Sequence, residues 1–232
     1  MANDRLWASG DCLRLFRRTG KQPIVQLRRL GMTLLRSDDN LESERLYLRR
    51  LDRTDLDFFI AIHGDPEVAR YIGAGNPRPR SETEQWFEDI QNSYRSASLG
   101  QLTVIRKSDG MRVGRCGLSD AVVETAEPSG RLRKGWFFSA HVPIGYDVDQ
   151  LPELGYTFGR DHRGKGYATE AARAVYEYAQ TQLPYPKIMS VIHAENKGSR
   201  AVVEKFGVRY VDVVELAGRP FERYYWPLSA EL

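Results

Sequence analysis

The stretch Glu153 to Ala172, ELGYTFGRDHRGKGYATEAA, reads as a strand, a glycine-rich turn and the start of a helix. Such a turn gathers free backbone N–H groups and the positive end of a helix dipole at one point, which suits a phosphate. Gly164 and Gly166 keep Cβ atoms out of the anion's path, and Arg163 and Lys165 add positive charge. Ala168, Ala171 and Ala172 give the helix a narrow face that can lie close on a sheet. The plainer reading of the same residues is a glycine turn carrying solvated charges.

Two familiar phosphate loops fit poorly. Gly159 to Lys165 satisfies G-x-x-x-x-G-K, but Gly166 stands where a P-loop has the Ser or Thr that holds magnesium. A dinucleotide fingerprint needs glycine where Thr169 stands, and this loop lies late in the chain. A third pattern, [R/Q]-x-x-G-x-[G/A], is met at every fixed position by Arg163, Gly166 and Ala168.

That third pattern resembles the coenzyme A loop of the GNAT acetyltransferases, and three further segments follow in the family's order. Leu41 to Leu51, LESERLYLRRL, with Asp55 after it, resembles the opening strand of the Rim-type branch, the ribosomal-protein N-terminal acetyltransferases and their kin. Val113 to Leu118, VGRCGL, resembles its third strand. Asn196 to Gly207, NKGSRAVVEKFG, resembles the N-x-x-S-x-x-x-x-E-K-x-G helix after the fifth strand. The likeness runs from about residue 40 to 227 with one insertion, and four ordered matches are far more specific than one loop.

The resemblance implies an α/β GNAT fold, with a mixed, mostly antiparallel sheet of about six or seven strands flanked by helices. It implies an N-acetyltransferase using acetyl-CoA as cosubstrate, with direct attack by a primary amine in a ternary complex. The acceptor is a protein N-terminus or a small-molecule amine. Cofactor contacts carry over to Phe158, Arg163, Gly164, Lys165, Gly166, Tyr167, Ala168 and Asn196. Ser199 matches the hydroxyl near the thiol and is the candidate acid; its plain reading is a solvent-facing serine on a helix's first turn. Asn196 is also a natural N-cap. Glu153, where the strand enters the cleft, is the candidate base through water, with Glu215 and Glu222 as rivals; a simple strand-edge carboxylate is the competing reading. Tyr156 reads as packing. The alternative from another class is a non-catalytic acyl-CoA-binding regulatory module, which would not need a hydroxyl at the thiol.

The attacking amine must be neutral. About a tenth of an α-amino group is neutral at pH 7, against well under a thousandth of a lysine, so the lysine needs a base more.

Composition is compatible and little more. The 232 residues are 41% hydrophobic and 11% aromatic, as in a globular protein, and no apolar run approaches the ~20 residues of a membrane helix. Cys12 and Cys116 are too few for a disulfide framework, so a reducing, cytoplasmic setting is expected. The four histidines make no metal spacing with them, and no metal is expected.

The net charge of +3 is uneven. Residues 1–31 hold seven Arg or Lys against Asp4 and Asp11, hence 7 − 2 = +5, leaving 3 − 5 = −2 for the rest. Residues 1–39 read as a basic extension, either disordered or the product of a start assigned upstream of Met32. An organelle transit segment stays open. A nucleic-acid arm lacks interleaved aromatics. No nucleic acid or membrane partner is expected, and the protein is a monomer or homodimer.

Residues 40–232 read as one acetyltransferase domain interrupted at 119–152. That insertion is expected to act as a lid over the acceptor, a dimer contact or an edge hairpin. Asp120, Glu124, Asp147 and Asp149 would attract a cationic amine, and Trp136 to Phe138 would cover its apolar part. Ser81 and Glu84 suggest a capping box opening a helix to about Ser96, and Thr54 suggests another cap.

Overall fold

The computed structural model describes residues 40–96, 100–125 and 133–228. The basic extension expected at 1–39 lies outside them, as does the middle of the insertion. Their strands are β1 (Leu41–Glu42), β2 (Leu46–Arg50), β3 (Gln101–Arg106), β4 (Arg112–Ser119), β5 (Ala121–Glu124), β6 (Lys134–Phe138), β7 (Val148–Gln150), β8 (Glu153–Phe158), β9 (Lys187–His193), β10 (Arg209–Leu216) and β11 (Arg219–Pro227). The helices are α1 (Leu56–Gly64), α2 (Pro66–Ala69), α3 (Arg80–Ser96), α4 (Tyr167–Gln182) and α5 (Lys197–Glu204).

One mixed sheet runs β1-β2-β3-β4-β8-β9-β11-β10-β6-β5-β7. Its pairings are antiparallel except β8–β9 and β6–β10. Eleven strands among the described residues exceed the six or seven expected. The surplus is β1, two residues long, and three short strands of the insertion, whose alternation is interrupted by Gly135 and the loop charges.

The insertion prolongs existing strands. The β4–β8 ladder ends at Ser119↔Glu153 and resumes as Val122↔Gln150 between β5 and β7. β5 then pairs with β6, and β6 with β10, so the pairing path returns through β11 and β9 to β8. Inside this ring Ala121, Val123, Trp136, Leu151, Met189, Val214 and Phe221 form one core. Trp136, only 4% exposed, is therefore ring core and no cover for an amine. Glu124 is buried, accepting the Gly135 N–H at 2.9 Å. Asp120 accepts from Ser139 and Gln150. Among the described residues of the insertion, β5 and β6 form an antiparallel hairpin.

α4 buries Tyr167, Ala171, Ala172, Val175 and Ala179, the one-sided spacing of an amphipathic helix, and lies against β4 and β8. α1 and α3 pack on a second core of Leu51, Phe59, Phe87, Ile90 and Tyr94. α3 begins at Arg80, so Ser81 lies inside its first turn instead of capping it. Asp52 takes the cap expected of Thr54, accepting both the N–H and hydroxyl of that residue.

Candidate active site

β8 pairs with β4 over its whole length, but with β9 only at Glu153↔Met189. The carbonyls of Pro152 and Leu154 still accept from Met189 N and Ser190 Oγ, at 2.9 and 2.6 Å. Gly159, one residue past the end, donates the other way, to Val113 of β4. Main-chain groups alternate between a strand's two edges, so the even-numbered residues of β8 face β9. Beyond the fork the N–H groups of Tyr156 and Phe158 therefore open into a gap. Such N–H groups can orient an extended ligand and polarise a carbonyl.

At the end of β8 the chain turns through Arg160–His162 into the glycine loop. Gly164 and Gly166 have φ of +72° and +82°, where a side chain would strain the backbone. Gly166 is the N-cap residue of α4 and uses no side-chain cap. The N–H groups of Gly164 through Thr169 find no acceptor among the described residues. The loop from Arg163 to Gly166 is exposed. Free donors, a helix N-terminus and open space together fit a pyrophosphate.

The loop's charges divide into two roles. Arg163 turns inward, donating to the carbonyls of Phe158 and Glu67 at 3.2 Å each, so its side chain braces the loop. Lys165 stays exposed, while its carbonyl accepts from Arg45 Nη1 at 3.1 Å. Arg45 also grips Glu170 at 2.7 Å and stacks over the Tyr167 ring at 4.9 Å. The Ser43 hydroxyl donates to the same carboxylate at 2.7 Å. Sequence reasoning missed this clamp, because its two halves are far apart in the chain and each passes as a solvated charge.

On the far side of the fork, Asn196 caps α5 and accepts the Ser199 N–H at 3.1 Å. The Tyr156 hydroxyl donates to the Ser199 carbonyl at 3.1 Å, tying β8 to α5 across the gap. Burial raises the Tyr156 pKa, and its side-chain hydrogen bond with Ser199 opposes that rise. Phe158 is buried behind the loop, and Ala168 lies on the first turn of α4. The structure thus draws the expected cofactor residues and Ser199 to the two banks of one gap.

Glu153 stands at the vertex of the fork. Burial lifts its carboxyl to about 7, against the opposing pull of the Arg115 charge and the Val191 N–H. Of its rivals, Glu222 is bonded by the Tyr224 hydroxyl at 2.6 Å and faces Arg200 at 3.5 Å. Glu215 lies on β10, away from the fork.

A further cluster extends from Glu153 under α1 and α3. Arg115 Nη1 donates to Gln101 Oε1 at 2.8 Å, and Gln101 Nε2 donates to Ser119 at 3.1 Å. The Arg115 guanidinium lies over the Trp86 ring at 5.4 Å, with His63 edge-on to Trp86 at 4.6 Å. Burial, then Arg115 and Arg78, depress His63 to about 2, so it is neutral. None of these side chains is marked by sequence. Each sits singly in its element, and only the sheet register unites them.

Among the described residues no group of three or more His, Cys, Asp or Glu gathers as a metal site would. No described helix is long and apolar enough to cross a membrane.

Comparison with known proteins bears on the whole arrangement. Residues 45–209 match the acetyltransferase (GNAT) domain family. An uncharacterized N-acetyltransferase of Bacillus subtilis, YnaD, is 29% identical over 196 residues, covering 83% of this chain and 98% of its own. An Aspergillus fumigatus protein named FsC-acetyl coenzyme A-N(2)-transacetylase is 26% identical over 178 residues, covering 77% of this chain and 68% of its own. An acetyltransferase structure from Agrobacterium tumefaciens superposes with a TM-score of 0.61 at 24% identity, over 84% of this chain and 97% of that one. The likeness to that structure is one of fold.

Proposed function

Since the chain belongs to the GNAT acetyltransferase family and is an enzyme of that class, we propose that it transfers acetyl from acetyl-CoA to a primary amine, by direct attack in a ternary complex. Acetyl-CoA supplies an activated thioester, and everything else required comes from this chain's residues. The observation that carries the reading is the row of free N–H groups from Gly164 to Thr169 beside the open edge of β8. The loop binds the pyrophosphate. The Tyr156 and Phe158 N–H groups orient the pantetheine arm and polarise the acetyl carbonyl.

Glu153 takes the proton of the attacking ammonium, directly or through water. A carboxyl near 7 is matched to that work at neutral pH, being basic enough to accept a proton while about half of it is ionised. Ser199, across the gap and beside the Tyr156 hydroxyl, delivers a proton to the departing sulfur. The leaving thiol resembles that of cysteine, with a pKa near 8.5, so this help is modest. The Rim-type branch belongs to the same reading, supported by the Arg45 strand and the Asn196 helix. A reducing, cytoplasmic setting fits the free, buried Cys116.

The test is release of coenzyme A thiol from acetyl-CoA across a panel of amines and N-terminal peptides. The parent protein should turn over at least one amine, and acetyl-CoA should raise its melting temperature. Gly166→Glu places bulk and negative charge at the anion site and should abolish that thermal shift while the fold persists. An undiminished shift in this variant would remove the loop assignment.

A further inference from the structure

The acceptor side of the fork holds two cations with no salt-bridge partner among the described residues. Arg115 is fixed by Gln101 and Trp86, and its Nε is buried without a hydrogen-bond partner among those residues. Arg78, in the loop before α3, is partly buried and close enough to Arg115 for their charges to repel. Of the acids around it, only Glu82, exposed on α3, acts noticeably on Arg78. Asp57 and Glu84 are taken by Arg80. His63, packed on the same cluster from α1, is buried with Nε2 unpartnered among the described residues.

Two guanidinium groups sharing a desolvated cleft are costly unless something compensates them. Glu153 compensates in part, acting on Arg115 from β8. Gly117 and Gly155 are opposed on β4 and β8, between the Arg115↔Thr157 and Ser119↔Glu153 pairs. Over Gly155 there is room for a Cβ, 3.7 Å from both Glu153 Oε1 and Gln101 Nε2. Because Gln101 also accepts from Arg115, its side-chain amide links the space over Gly155, beside the base, to the Arg115 guanidinium.

We propose that the acceptor is a small amino carboxylate, its amine seated over Gly155 beside Glu153 and its carboxylate held by Arg115 and Arg78. The proposal rests on the acetyl-transfer reading and names the substrate class of that site. Charge chooses the class. Arg78 and Arg115 are balanced by Glu82 and an ionised Glu153, so the site suits a ligand whose own ammonium and carboxylate cancel, whereas an aminophosphonate dianion brings excess negative charge and a polyamine excess positive charge. Guanidinium groups also match the planar, two-oxygen edge of a carboxylate. Attack proceeds with nitrogen forming the new C–N bond, the C–S bond breaking, Glu153 taking the ammonium proton and the sulfur leaving as thiolate or thiol.

The experiment pairs amino acids with their α-amides, and with aminophosphonates, in the coenzyme A release assay. Calorimetry with N-acetyl amino acids and the corresponding N-acetyl amides follows binding independently of turnover. The free carboxylates should be preferred by about tenfold to a hundredfold, as expected for a charge-assisted hydrogen bond. Arg78→Gln should erase that preference by raising KM for the acids far more than for the amides. Arg115→Gln should do the same, with Arg78→Gln carrying the test if the more buried variant does not fold. If no amine is turned over but the N-acetyl acids still bind more tightly than the amides, the anion subsite stands and the transfer reading falls. Equal binding of acids and amides, a preference that survives Arg78→Gln, or a stronger preference for phosphonates would overturn the proposal.

Discussion

The loop after β8 and the cleft beneath α3 serve one fork but are made of different material. The loop is contiguous and exposed, and the groups proposed to bind there are backbone N–H donors, presented by a chain in which Gly164 and Gly166 take positive φ. The cleft is assembled from β3, β4, β8, α1, α3 and the segment before α3, and its groups are side chains, several buried. A backbone site is specified locally and carries no formal charge of its own. A site of buried side chains depends on the whole sheet register and on compensating charges. The first should be robust in stability and the second sensitive to every titrating group.

The sharpest way to break that contrast is Glu153→Gln. If the cleft carries the proton transfer, kcat/KM should fall by about 10²–10⁴-fold, with acetyl-CoA affinity unchanged because the loop is untouched. In the parent, kcat/KM should climb with pH through about 7 as Glu153 ionises, and the variant should lack that limb. The stability sign is opposite. A carboxyl whose pKa is raised by folding stabilises below its unfolded value of 4.5, and that contribution is lost as pH rises through about 7. Glu153→Gln should therefore gain stability relative to the parent as the pH is raised from 4.5 through about 7, with the gap constant at higher pH. A rate profile that keeps its limb would move the base elsewhere.

Asp55 tests how far the cleft's frame relies on buried charge. It is 0% exposed and receives Arg49 at 2.6 and 2.8 Å, Arg112 at 2.5 Å, Thr103 at 2.8 Å and the Asp52 N–H at 2.8 Å. Burial alone would raise its pKa, but Arg49, the Asp52 N–H, Arg112 and Thr103 hold it down to about 2. Asp55→Asn strands two arginines, and breaking a buried pair costs about 3–5 kcal/mol. The stabilisation is present above the ordinary 3.8 and is lost as pH falls toward about 2. Denaturant unfolding of parent and variant should thus diverge at neutral pH and converge in acid. A gap that does not change with pH would mean that packing, not charge, holds this corner.

The same contrast decides what could be read from sequence. The glycine loop was legible because a backbone requirement fixes residue type at adjacent positions, so Arg163, Gly166 and Ala168 form a pattern. Asn196 and Ser199 were legible as a cap and its first turn. Arg115 was not, because one arginine in Val113 to Leu118 looks like the outward member of an alternating strand. Its meaning comes from Gln101, Trp86 and Arg78, which the register brings to it. Trp136 was misjudged as cover for the same reason. Aromatics in an insertion show that something is buried but not against what, and here they close a strand ring.

Arg45 is the smallest test, and it probes the one place where the loop leans on a side chain. Its guanidinium joins the Lys165 carbonyl, the Glu170 carboxylate and the Tyr167 ring, yet its side chain is 46% exposed. A pair this open to water contributes about 1 kcal/mol or less to stability, so Arg45→Ala should scarcely move the denaturation midpoint. Its effect should fall on the ligand. The carbonyl it restrains belongs to the residue between the two positive-φ glycines, and freeing it lets the N–H groups lose their common aim. Calorimetry should show acetyl-CoA binding weakened by about threefold to tenfold, or about 0.6–1.4 kcal/mol. Turnover at saturating acetyl-CoA should stay near the parent value, since nothing in the cleft has changed. If affinity is untouched, glycine geometry alone holds the loop. If stability falls as steeply as for Asp55→Asn, both banks of the fork depend on ionic ties and the distinction between them dissolves.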